Sequence, residues 1–494
     1  MASGAVHSFG PFSFDAGTRQ LTRDGVVLKV PARHLDVLAA LLAKPGAIVP
    51  KDTLVVVAWN DVAVTDNSLE QAVSALRKVL GSHAGGEPYI QTVARQGYRF
   101  AGSVHTQRGR ESDAVLAALV APHRAWVEGR AALESLAAPR VAQARAAFER
   151  LLQSAPHDTI GHVGLANACA MQFEATRADL VPNATALAMA AQHAEEACRL
   201  DPGNAEAWAT RAFVIDRMGQ GQEARALAAR AVSLEPDNWR HHFRVALVSW
   251  GEARLRAARR TQALLPGMPL AHWLAATVHV ARQVFDEAER ELAAGIDSMR
   301  ATDEDDGAKF PGVALDWLAG LIRLLRGDEA AALAHFEREL AHGDRQHLYS
   351  REACASTWYA LGAVHLRHGR RQDAEAAFRH AVEHVARHPA AAALVALGAE
   401  RGQLAAAYAG PIPSVAERAD VTSRVVVDLA LAAAVHAMIT GAGPVDAAAR
   451  VGHALARAET GSRAWWLPVE PILRVADHPA AWAPVLAQLR ARAA

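Results

Sequence analysis

The sequence predicts a mainly α chain in two parts: a small α+β module of three helices closed by a β-hairpin over the first hundred residues, then an all-α solenoid of paired helices. Three observations carry that expectation. First, the stretch VTDNSLEQAVSALRKVL, Val64 to Leu80, puts Leu69, Val73, Leu76 and Leu80 on one helical face. It follows Asp66 and Asn67, either of which can accept from the free N–H groups of a first turn. Second, short apolar runs flank this helix, one turning at Asp24-Gly25 and the other at Gln96-Gly97. Third, beyond residue 113 the chain becomes Ala-rich, helical in period and self-similar, with Pro202 and Pro236 spanning a 34-residue unit.

Composition bounds the function. With 494 residues, 51% of them hydrophobic, the chain can bury large cores. Lys+Arg and Asp+Glu number 52 each, so the protein is no polycation and any nucleic-acid contact must come from a local patch. Residues 1–107 carry ten Lys/Arg against eight Asp/Glu, only a mildly basic balance. Cys169, Cys198 and Cys354 lie too far apart for zinc spacing or a disulfide framework, and each reads as a small apolar packing residue in a reducing compartment. The start, MASGAVHSFG, lacks the basic and apolar runs of a signal peptide. The stretch Val425 to Met438 is interrupted by Asp428 and His436, so a cytoplasmic protein without a membrane segment is expected.

From Phe9 to Val30 the pattern is strand-like, with Phe12 and Phe14 alternating and Asp24-Gly25 as a hairpin turn. A first helix follows Pro31, with Leu35, Leu38 and Leu42 on one face, and Pro45-Gly46 stops it. A second runs from Pro50 to about Trp59, despite the poor helix formers Val55, Val56 and Val57. After the loop Asn60 to Asp66 and the third helix, Gly81 to Pro88 is a loose connection, and YIQTVARQGYRF folds into two strands. Strands, three helices and a hairpin in that order make the winged form of the helix-turn-helix, whose third helix enters a major groove. Taken alone, the third helix reads first as an ordinary amphipathic surface helix; what precedes and follows it overturns that reading.

The segments FSFD, RQLTRDGVVLKVPARHLDVLAALLAKPGAIVPKDTL, VTDNSLEQAVSALRKVLG and YIQTVARQGYRF together resemble the OmpR/PhoB-type winged-helix domain of transcription regulators. The most telling pieces are Pro45-Gly46, Trp59, Leu76-Arg77, and Thr92-Val93 followed by Gly97-Tyr98-Arg99-Phe100. The resemblance implies a domain that binds double-stranded promoter DNA, with Arg77 at a position that commonly contacts DNA and Thr92 at one that commonly contacts the backbone. Asn67, Ala72, Ser74 and Ala75 stand where members often carry basic or imidazole side chains. In the wing, Thr92-Val93-Ala94-Arg95 moves an arginine by one place. From the residues themselves, the exposed side of the third helix offers Ser68, Gln71, Ser74, Arg77 and Lys78, groups that bond phosphates and base edges. With Thr92, Arg95 and Arg99 from the wing, these are the candidate DNA-binding residues. Gln71 suits an adenine edge, Arg77 and Lys78 phosphates or a guanine edge, and Arg95 a narrow minor groove. Trp59, Tyr98 and Phe100 read as core.

Gly102 to Asp113 is small, polar and charged and reads as a connection. The expected domains are 1–104 for the winged helix, 105–113 for the linker, 114–388 for the repeats, and 389–494 for degenerate repeats with a C-terminal cap. The clearest unit, Trp358, Leu361, Gly362, Gly369, Ala374, Phe378 and Ala381, resembles the tetratricopeptide repeat, in which large residues meet small ones where two helices cross. Trp208, Ala212, Gly219, Ala224, Ala228, Ala231 and Pro236 form a copy; Gly320, Gly327, Ala332 and Phe336 mark another, and Ala276, Ala288 and Leu292 a third. Ala144, Phe148 and Pro156 close the first unit. An insertion interrupts the array between Phe173 and Thr185, and Trp465-Trp466 with a closing WAPVLAQL helix are expected to cap the stack. The resemblance implies a concave groove, near Trp358 and neighbouring first helices, that binds a polypeptide.

Chemistry finds no foothold. Gly219-Gln-Gly221-Gln-Glu-Ala224 imitates half a dinucleotide fingerprint but sits in an interhelix turn with no strand before it. Thr302 to Gly307, TDEDDG, has Thr302 where a calcium loop needs its first carboxylate and Val313 at the last. Of 23 histidines, the closest pair, His241-His242, points in two directions, and no HExxH, GxSxG or phosphate-binding glycine loop occurs. No enzyme, cofactor or metal is expected. The layout resembles HilA-like activators, which join the same two modules. The reading is a sequence-specific transcription regulator whose repeats receive a signal or bind RNA polymerase or another regulatory protein, with a homo-oligomer on tandem half-sites possible. The alternative, kept open by the low net charge, is a tetratricopeptide scaffold whose winged helix docks protein rather than DNA.

Overall fold

The computed structural model describes residues 6–59, 66–83, 85–94, 96–107, 111–303, 310, 312–341, 347–398, 423–459, 461 and 464–494. The chain divides into two compact units, Met1–Val127 and Glu128–Ala494.

The first unit opens on β1 (Val6–Phe9), β2 (Phe12–Asp15), β3 (Gln20–Arg23) and β4 (Val26–Val27). Asp24 and Gly25 take φ of 51° and 82°, the left-handed pair that a tight hairpin requires. Alternation buries Phe12, Phe14 and Leu21 on one face. Composition places residues 105–113 in a linker, but His105–Gln107 forms β8, which pairs with β1 through Ser8↔His105 and Val6↔Gln107 and completes a sheet ordered β4-β3-β2-β1-β8. From Glu111 the chain is helical again: α4 is Glu111–Glu134. A polar three-residue edge strand shows no alternation for a sequence reading to detect.

Three helices lie between the sheets: α1 (Ala32–Ala43), α2 (Lys51–Trp59) and α3 (Asp66–Leu80). Leu54, Ala58 and Trp59 are buried, so packing holds α2 helical in spite of its valines. The wing is β6 (Ile90–Val93) and β7 (Gly97–Phe100), with β5 (Ile48–Val49) added on the far side of β7. Phe9, Tyr89 and Phe100 meet edge to face in the core, with ring centroids 5.4 and 5.0 Å from Phe9.

The second unit is a row of antiparallel helix pairs. After α5 (Ala138–Ser154) come α6 (Thr159–Thr176) with α7 (Ala184–Leu200), α8 (Ala205–Arg217) with α9 (Gly221–Leu234), and α10 (Trp239–Val248) with α11 (Glu252–Leu264). Then follow α12 (Pro269–Arg282) with α13 (Phe285–Asp303), α14 (Leu315–Leu325) with α15 (Glu329–Ala341), and α16 (Ser350–Arg367) with α17 (Arg371–His384). The repeat signature has a plain steric basis: a Cβ on Gly362 would fall 2.3 Å from the buried Phe378 ring, and one on Gly320 2.5 Å from Phe336. First helices pack on one another, α6 on α8, α8 on α10, α10 on α12 and α14 on α16, and form the inner row.

Two features go beyond the expected solenoid. The insertion after Phe173 is a clasp: Arg351 pairs with Asp179 at 2.7 Å, Arg387 donates to the Leu180 carbonyl at 2.5 Å, and Arg177 holds Glu352 at 2.6 Å, so α6 is tied to α16. The C-terminal segment, expected to cap the end of the stack, runs back along the inner row instead. After α18 (Ala390–Ala396), α19 (Ser423–Thr440) and α20 (Pro444–Arg457), Trp465 packs edge-on against Trp273 at 5.8 Å and Trp317 at 6.3 Å. Tyr359 of α16 donates to the buried Glu470, and the last helix, α21 (Pro479–Ala493), packs on α12, where Arg282 donates to the Ala493 carbonyl at 2.8 Å. Inner-row aromatics on α12, α14 and α16 are therefore covered by the chain itself. Trp358 lies with the core, its ring 4.7 Å from that of His380. No helix among the described residues is long and apolar enough to cross a membrane.

Candidate nucleic-acid interface

Helix α3 buries Leu69, Ala72, Val73, Leu76 and Leu80 against α1 and α2 and leaves Glu70, Gln71, Ser74 and Lys78 exposed, as spacings of three and four residues dictate. Ser68 is half-buried at the start of the same helix. Lys51 at the head of α2 pairs with Glu70 at 3.0 Å, which offsets the one carboxylate beside Gln71. The exposed face thus presents an amide, a hydroxyl and an ammonium in successive turns. Among the described residues, no group of three or more His, Cys, Asp or Glu is arranged to hold a metal ion.

The wing is fixed to this helix by the arginine that the sequence singles out. Arg77 donates from Nε to the Ile90 carbonyl and from Nη2 to Thr92 Oγ1, both at 2.8 Å, and lies over the Tyr98 ring at 5.9 Å. Arg77 and Thr92, each expected at DNA, are bonded to each other. Arg77 therefore positions the hairpin against α3, with only part of its fork left for a phosphate. Gly97 makes the turn possible: its φ is +141° and a Cβ there would lie 2.1 Å from the Val49 carbonyl.

Arg99 sits on the other face of the wing. Tyr98 and Phe100 point into the core, so the residue between them points outward, where it faces Gln91 across the strands and donates to Gln91 Oε1 at 2.9 and 2.7 Å. Gln91 in turn donates to Glu87. The exposed face of α3 thus carries Gln71, Ser74 and Lys78, with Ser68 and Arg77 half-buried at its flanks and Thr92 bonded to Arg77, while Arg99 is set apart on the other face of the wing; Arg95 lies outside the described residues. Sequence reasoning missed Lys51 and the Glu87–Gln91–Arg99 chain. Both depend on tertiary or cross-strand pairing that no local spacing encodes.

Three helices, a wing and an exposed polar face on the third helix define a winged-helix nucleic-acid-binding fold. The domain is of the OmpR/PhoB type: residues 25–100 match the family described as "Transcriptional regulatory protein, C terminal". The chain is 38% identical over 86 residues to the transcriptional regulator HilA of Salmonella typhimurium, covering 16% of this chain and 15% of that protein. It is 29% identical over 93 residues to the cholera toxin transcriptional activator of Vibrio cholerae, covering 18% and 32%. It is also similar to the RstA DNA-binding domain of Klebsiella pneumoniae, solved in complex with the RstA box, at 34% identity over 19% of this chain and 96% of that one, with a TM-score of 0.18. The matched part spans well under two thirds of either curated relative.

Proposed function

We propose that this protein is a sequence-specific, cytoplasmic regulator of transcription that reads promoter DNA with α3 and its wing, and that its helical array receives a signal or a regulatory partner such as RNA polymerase. The observation that carries the reading is the exposed row Gln71, Ser74 and Lys78 beside a wing locked in place by Arg77 and Thr92, within a domain of a family of transcription regulators. The relatives are named as regulators or activators of transcription, which supports the same reading. Binding as a homo-oligomer on tandem half-sites belongs to this proposal.

The rival reading, a wing and helix that dock protein, draws on two observations: Arg77 is already engaged, and Glu70 stands on the exposed face. Gel-shift of the full chain on genomic fragments, with competitor DNA and stepped salt, separates the two. Competable complexes that weaken steeply with salt support the regulator; binding that ignores salt and competitor supports the dock.

A further inference from the structure

Four guanidinium groups converge where α6, α8, α10 and α11 meet, and two of them make no direct ion pair among the described residues. Arg217 pairs with Glu174 at 2.7 Å and with Asp216 at 2.5 Å, while Arg177 reaches Glu174 at 3.3 Å and Glu352 at 2.6 Å. Among the described residues, neither Arg244 nor Arg254 has a carboxylate at ion-pair distance. Arg254 is buried and its hydrogen bonds are internal: it donates to the carbonyls of Ala246 and Ser249, each at 3.0 Å, and to Thr277 at 3.2 Å.

Arg244 is different. It is half-buried, and only Nη2 is bonded, to Asn167 Oδ1 at 2.7 Å. Asn167 is itself fixed, donating to the Val163 carbonyl at 3.1 Å and to the buried Thr210 at 2.8 Å. The guanidinium rests 4.5 Å from the centre of the Phe213 ring, which Arg217 also covers at 4.3 Å. Its Nε and Nη1 carry no hydrogen bond among the described residues and are not sealed off as buried atoms. A guanidinium partly withdrawn from water without a carboxylate in direct contact is costly, and an oriented fork with an open edge is the geometry that takes a carboxylate or phosphate. Burial pushes Arg244 down from the ordinary guanidinium range, against the more distant carboxylates of Glu206 and Glu174, and Arg254 down to about 9, against Asp216.

We propose that the open edge of Arg244, with Arg217 beside it, binds the carboxylate or phosphate group of a small anionic molecule, and that Asn167 is its positioning residue. A small molecule fits better than a polypeptide because the clasp ties α6 to α16 here, through Tyr349 to Glu174 at 2.8 Å as well as Arg177 to Glu352, and the C-terminal segment covers the inner row beyond. The site gives chemical content to the proposed signal-receiving role and rests on that reading for its purpose. It is measured without DNA, so the two fail separately.

The test is calorimetric titration of the full chain with inorganic phosphate, pyrophosphate and succinate at ionic strength matched with sodium chloride. At least one probe should bind saturably, and the phosphate and succinate arms tell the two chemistries apart. Arg244→Gln should weaken that binding about ten- to hundredfold, the loss expected for one charge-assisted hydrogen bond. Arg244→Lys, which keeps the charge inside the fold but loses the fork, should weaken it less. Arg260→Gln, altering an exposed pair with Asp237, should leave it unchanged. Absence of saturable binding by all three probes, or equal affinity in wild type and both Arg244 variants, would overturn the site. Gel-shift on the same preparations reports the DNA reading independently.

Discussion

At the scale of single residues, the side chains proposed to meet DNA differ in what they can do. Gln71 is exposed on α3 and can form a bidentate amide pair with adenine, so Gln71→Ala should cost about 1–3 kcal/mol on a cognate site and little on random DNA. Lys78 is an exposed ammonium near the helix end; Lys78→Ala should weaken all duplexes alike and lower the salt slope by about one unit. Binding of both variants to cognate and random duplexes at two salt concentrations checks this. Arg77 belongs to a different class, because it ties α3 to β6 through Ile90 and Thr92. Arg77→Ala should lower the thermal stability of the protein as well as its affinity, by about 1.5–3 kcal/mol for hydrogen bonds from a charged donor. Loss of affinity with unchanged melting would place Arg77 wholly at the DNA. The sequence shows the identity of Arg77 but not its direction: its partners lie 13 and 15 residues on, across a turn, and a long side chain can swing to either.

At the scale of elements, the periodic parts were legible and the short or returning parts were not. The third helix and the repeats announce themselves by spacings of three and four residues and by small residues facing Phe336 and Phe378. Gly362→Ala should therefore destabilise the array by about 1–3 kcal/mol in denaturant unfolding, as overpacking against Phe378 demands. Strands β5 and β8, of two and three residues, are too short to show a period. The path of the C-terminal segment was hidden for another reason: Trp465 and Glu470 find partners more than a hundred residues away. Glu470 also sets a pH dependence. Burial pushes its carboxyl up to about 7, against the donors Tyr359 and the Leu473 and Ile472 backbone, from an ordinary value of 4.5. Between those values the native chain keeps a proton that the unfolded chain has released, so this contribution is fully present below pH 4.5 and is lost as pH rises through about 7. Glu470→Gln should flatten that part of the melting profile between pH 5 and 8; an unchanged profile would show that Glu470 titrates normally. Glu174 runs the other way. Desolvation opposes its charge, but Arg217 and Arg177 prevail and hold it down to about 2, so its contribution is lost as pH falls from 4.5 towards 2.

At the scale of the whole molecule, a winged-helix unit and a helical array share one chain, and the array differs from an open groove in two ways. Its α6–α7 insertion clasps α16, and its inner row from α12 to α16 is covered by residues that follow Ala464. A polypeptide partner would therefore have to displace Trp465 and Trp466 or use another face. Trp465→Ala should expose Trp273 and Trp317, and a rise in binding of an apolar dye would report it. The central claim is that the first unit reads DNA sequence. The direct measurement is a salt-stepped, competitor-challenged gel-shift of the full chain over a library of genomic fragments, run beside Gln71→Ala. The account predicts that a small subset of fragments is retained, that retention falls steeply with salt, and that Gln71→Ala loses preference for the subset while keeping its weak binding to all DNA. Equal binding of wild type and variant to every fragment, or no competable binding at all, would contradict it and leave α3 an ordinary amphipathic helix.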